Sequence, residues 1–140
     1  MPRPSPRLLP AVAALTAVAA LAGCSSSPGR PVEDYAGEPK GVPAPASSAG
    51  GASWAAWLEG GDRLAIVLYG SSTCPPKVDH IRSTGATAIE ATLAPAPGGI
   101  CTHDYVPFTT VFATPDGTSK TAQVSVALPD QTLTLPARNG

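Results

Sequence analysis

The chain has 140 residues, with 9 Lys and Arg against 10 Asp and Glu, and a formal net charge of −1. So even a balance, with no basic patch or arginine stripe, speaks against nucleic acid as a partner. Three cysteines is an odd count, so one of them has no disulfide partner within the chain.

The first residues read MPRPSPRLLPAVAALTAVAALAGC. Arg3 and Arg7 form a positive start, and Leu8 to Ala22 follow as an apolar run interrupted only by Pro10 and Thr16. The run falls short of the roughly 18 to 20 residues that a membrane span needs, so it predicts a secretory signal peptide over residues 1–23. Leu21-Ala22-Gly23-Cys24 resembles the lipobox of bacterial lipoproteins at all four positions. That resemblance implies cleavage before Cys24 and a diacylglyceryl group on its sulfur. The membrane would then be a partner through this anchor, at the extracytoplasmic face of the cell membrane. Two acyl chains, at about 0.8 kcal/mol per buried methylene, make a stable anchor where one does not. Ala20-Leu21-Ala22 is also an acceptable site for an ordinary signal peptidase, which would leave Gly23 first and Cys24 as a free thiol.

Loss of residues 1–23 leaves 117 residues and moves the formal charge to −3, since Arg3 and Arg7 go with them. Residues 24–51 then form the lipidated cysteine and a Ser/Pro/Gly/Ala-rich stretch whose only aromatic residue is Tyr35. Such a composition buries too little apolar surface to offset its ordering entropy, so it predicts a disordered tether with a reach of roughly 30 Å. Apolar residues arrive at Ala52, and a folded domain is expected over residues 52–137.

No window of that domain has a sustained helical period. Ser53 to Leu58 reads as a strand whose tryptophans are three apart, so a bulge would be needed to turn both inward. Gly60-Gly61-Asp62 turns the chain into Arg63 to Tyr69, which is apolar on both faces and reads as a central strand. Val78 to Arg82 and Ala86 to Leu93 follow, joined by a turn at Ser83-Thr84-Gly85. Asp104 to Phe112 puts Val106, Phe108, Thr110 and Phe112 on one face, and Pro107 predicts an edge position or a bulge. Pro115-Asp116-Gly117 and Pro129-Asp130 turn the chain around an alternating run, Val124, Val126 and Leu128, and Leu133 with Leu135 close it. About seven short strands predict an all-β fold, a small antiparallel β-sandwich of immunoglobulin-like architecture, with a Greek-key barrel as the alternative.

With Cys24 given to lipid, Cys74 and Cys101 are expected to pair, because the chain is exported. They close a loop of 27 residues, worth about 3.5 kcal/mol by chain entropy. The segments around them, with Trp57, Gly70, Ser71, Ser72, Cys74, Pro75, Cys101, Thr102, Asp104 and Pro107, resemble a group of uncharacterised actinobacterial lipoproteins. The likeness covers most of residues 54–135. It implies a secreted β-domain with a disulfide and brings no activity with it.

Cys74, His80, His103 and Asp104 include the groups of a cysteine nucleophile and its base, yet a disulfide would consume the thiol. Reduced, Cys74, His80, Cys101 and His103 would suit copper or zinc, but their spacing matches no specific site. No serine elbow, carboxylate pair or phosphate loop is present, so no catalytic residue, metal or cofactor is assigned. The expected function is a membrane-tethered binding or accessory module, not an enzyme, that meets an envelope protein partner. Metal handling or catalysis by the Cys74–Asp104 region is the alternative. Ser71, Ser72, His80, His103 and Asp104 are the candidate surface. Intact mass of the exported protein should show a chain that begins at Cys24 and carries added acyl mass; a bare chain starting at Gly23 would overturn the anchor.

Overall fold

Short runs of β-branched and apolar residues, cut by Gly, Pro and Asp, pair into eight strands. A computed structural model of the chain describes residues 1–2 and 27–139. The expected signal peptide from residue 3 onward, the Leu21–Cys24 motif and the expected lipidation of Cys24 lie outside the described residues. The strands are β1 (Pro31–Ala36), β2 (Trp54–Leu58), β3 (Arg63–Gly70), β4 (Val78–Gly85), β5 (Ala88–Leu93), β6 (Val106–Ala113), β7 (Val124–Ala127) and β8 (Thr132–Leu135). They form two four-stranded sheets, ordered β1-β6-β3-β2 and β4-β5-β7-β8. The all-β sandwich with one disulfide is therefore what forms.

Five of the six pairings between these strands are antiparallel, and β5 with β7 is parallel. The cause is the way the β4–β5 hairpin lies. Its second strand, not its first, sits beside β7, so the second sheet is mixed.

The sheets pack face to face. Leu64, Ile66 and Phe112 from one meet Ile81, Ile89, Val124, Val126 and Leu135 from the other, all fully buried. Each such side chain stabilises the fold by about 1.5 to 3 kcal/mol relative to exposure. β3 lies between β6 and β2, as its two apolar faces predict. Its inward residues join this core, while Val67 on the outer face packs with Trp54, Ala56, Val42 and Tyr69.

Three expectations are corrected. The tryptophans of β2 need no bulge, because the pairing with β3 is unbroken and they take opposite faces. Trp54 goes to the outer cluster and Trp57 to the core. Pro107 marks neither edge nor bulge: β6 is central, and the β1 ladder stops at Phe108, one residue short of it. Its carbonyl still accepts a hydrogen bond from the Gly37 N–H at 2.9 Å.

The third correction is larger. The expected disordered tether of residues 24–51 contains β1, an edge strand on β6. The strand is half exposed and buries little of its own surface. It is ordered by the main-chain ladder that β6 offers, a long-range partner that local composition does not reveal. Gly29 also bridges Ile81 of β4, and beyond β1 the Thr109 hydroxyl donates to the Gly37 carbonyl at 2.6 Å. Val42 packs on the outer face of the first sheet. Deleting residues 27–51 should expose that face and lower the melting temperature by about 10 °C or more in a circular-dichroism melt. A passive tether would leave it unchanged.

Candidate functional site

GSSTCPP leaves β3 and CTHDYVP leads into β6. Because Gly70 pairs with Val106 at the end of the ladder, the two segments emerge side by side. Cys74 and Cys101 are disulfide-bonded, with Cα atoms 5.4 Å apart. Gly70 is required there by a close approach: a Cβ would lie 2.6 Å from Cδ of Pro76.

The staple gathers a knot of hydroxyls. Thr102 Oγ1 donates to Asp104 Oδ1, which uses its only proton, so it acts as acceptor toward its other neighbours. Its two lone pairs take the hydroxyls of Ser71 at 2.8 Å and Thr73 at 3.3 Å, while the Ser72 hydroxyl, 3.2 Å away, gives its proton to Asp104. The Ser72 N–H donates to Asp104 Oδ1 at 3.0 Å, and the Thr102 N–H to Thr73 Oγ1 at 3.0 Å. Hydrogen bonds from the Ser72 side chain first, then from the Thr102 hydroxyl and the Ser72 N–H, hold the Asp104 carboxyl down at about 2. A carboxylate so acidic is a poor general base near neutral pH. With both sulfurs in the disulfide, the loop holds no thiolate either. The knot is built to present fixed hydrogen-bonding groups and one negative charge, not to move protons.

Ser71, Ser72 and Asp104 of the candidate surface thus meet. His103 is exposed between Thr102 and Asp104 and takes no part in the knot. His80 lies elsewhere, on β4, with Nδ1 2.9 Å from Asp79 Oδ2. Asp79 is held below the usual carboxylate range by that hydrogen bond and by Arg30. His80 faces a small crevice with Pro28, Arg82, Glu90 and Thr92. Among the described residues no three His, Cys, Asp or Glu side chains converge as a metal site.

Two features were not assigned to the candidate surface from sequence. Thr102 is the centre of the knot, and the Thr-x-Asp spacing is the signal that marks it. The same loops also expose Ile100, at 99% of its surface, and Tyr105, at 63%. The Tyr105 ring stacks on Tyr69 at 5.6 Å between centroids, so it is held rather than free. Comparison with protein families, curated proteins and solved structures finds no match to the chain.

The Asp104 hydrogen bonds favour the ionised form, so their contribution is present above the ordinary carboxyl range and is lost as pH falls through about 2. Carbon-detected NMR should give Asp104 a midpoint near 2, and Thr102→Val should move it upward. An unchanged midpoint in the variant would remove Thr102 from the account.

Proposed function

We propose that the mature protein is a binding module of the bacterial cell envelope, held at the extracytoplasmic face of the membrane by a diacylglyceryl group on Cys24. Its stapled end would meet a protein partner. One observation carries this reading: the stapled loops lie at the opposite end of the sandwich from where the chain enters it. β1 rises from Pro31, opposite Phe112, to Ala36, opposite Phe108, toward the Gly70–Val106 end. A lipid on Cys24 would then leave Ile100, Asp104 and Tyr105 on the side away from the bilayer. Strands of eight residues separate the two ends by about 25 Å.

The chemistry of that end suits a protein surface. Exposed apolar and aromatic side chains beside fixed polar groups are the usual centre of an interface. The rigid loops would also lose little freedom on binding. The metal-handling and thiol alternatives would require the disulfide to be reduced, and no observation favours them. A photoreactive residue at Ile100 should yield a discrete adduct in intact cells, and one at Asp116, in the loop at the other end, should not. Equal labelling from both positions, or none from Ile100, would overturn the proposal.

A further inference from the structure

The two lateral sides of the sandwich are finished differently. Where β1 lies over β4, the chain seals the gap itself. Gly29 exchanges main-chain hydrogen bonds of 2.8 and 2.9 Å with Ile81 of the second sheet, and the next residues join β6 of the first. Ion pairs cross the same seam, Arg30 to Asp79 at 2.7 Å and Lys77 to Asp34 at 3.6 Å. Where β2 faces β8, no described strand crosses. The Trp57 indole donates to the Pro136 carbonyl at 2.8 Å, and beside this tie an open groove of about 590 Å³ is lined by the two edges and by Val42, Pro43, Pro45 and Ser47. Pro45, Trp54, Trp57, Leu133, Thr134 and Pro136 are among its walls, and none of its lining residues is charged.

The edges themselves differ in the same sense. An edge strand turns alternate N–H and C=O groups outward, and proteins protect such edges with charges or by covering them. β1 carries Glu33 and Asp34, and β4 carries Asp79 and Arg82. β2 is WAAWL and β8 is TLTL, without a charge or a proline in either. Both border the groove, but Trp54, Ala55 and Ala56 of β2 are buried there, and it is β8, exposed at Thr132 and Thr134, that is left open.

We propose that this groove is a docking site for an extended, uncharged segment of a partner protein, about four residues long, which adds as a strand along β8. The main-chain donors and acceptors that β8 turns outward, unpaired among the described residues, favour a peptide over an acyl chain, which satisfies neither. The uncharged lining disfavours Lys, Arg, Asp or Glu on the inward side of that segment, because a charge there would be desolvated without a counter-charge. Residues 29–36 show how the chain seals the opposite side, by pairing with one sheet and then the other. The site is separate from the stapled end and does not depend on the lipid anchor.

The mature chain carrying Cys24→Ser, soluble and full length, would be titrated with a capped uncharged peptide, alternating Val and Thr, and with the same peptide carrying Lys at alternate positions. The uncharged peptide should shift the amide resonances of β8 and slow their hydrogen exchange, and the Lys peptide should bind at least tenfold more weakly. Thr134→Lys, at an exposed position of β8, should weaken the uncharged peptide at least tenfold with the melting temperature unchanged. Four results would overturn the proposal: the β8 amides unmoved at millimolar peptide, equal binding of the two peptides, the same amides shifted by a fatty acid and not by peptide, or a dimer through β8 that peptide does not dissociate.

Discussion

The ladder between β3 and β6 is the constraint on which the other parts depend. It runs without a break from Arg63 opposite Ala113 to Gly70 opposite Val106. Its upper end delivers the two cysteine segments to the same place, which is why a bond can form across 27 residues of sequence. Its outer edge on β6 is the template that orders β1. Its inner face supplies Leu64, Ile66 and Phe112 to the core. A chain that failed to form this ladder would lose the staple, the first sheet and half the core together.

Much of this was legible from local pattern. RLAIVLY is apolar on both faces because both are covered, the inner by the second sheet and the outer by the cluster around Val67. The cysteine pairing followed from counting and from the expectation of export. The parts that sequence did not reveal all depend on distant partners. PVEDYA has too little apolar surface to predict a strand, and it becomes one because β6 has an edge to fill. The parallel β5–β7 pair depends on how a hairpin lies, which the hairpin's own residues do not encode. Ser71, Ser72 and Asp104 were recognisable as polar residues near the staple. His80 was grouped with them by proximity in sequence, yet four residues beyond Pro76, the last three of them in β4, are enough to carry it to another face.

The surface of the molecule divides by chemistry. One end is stapled and offers an ionised carboxylate with its proton network already satisfied, beside Ile100 and Tyr105. One lateral side is closed by the chain and by ion pairs, and the other is open and uncharged. Such an arrangement permits two kinds of contact at once. A folded partner surface suits the rigid end, and a strand-forming segment suits the open side. Neither contact requires the sandwich to rearrange, because both lie outside the core.

On a chain lipidated at Cys24, the bridge between Gly29 and Ile81 would also limit how far the protein could stand from a membrane. A flexible tether ending at residue 51 would let the domain roam through roughly 30 Å. With the chain locked to β4 at Gly29, only residues 25–28 separate Cys24 from the fold, and five residue steps span at most about 18 Å. On a lipidated chain this is a short leash. The domain would be held close above the headgroups with its axis restricted, and a partner would have to come down to the membrane to reach it.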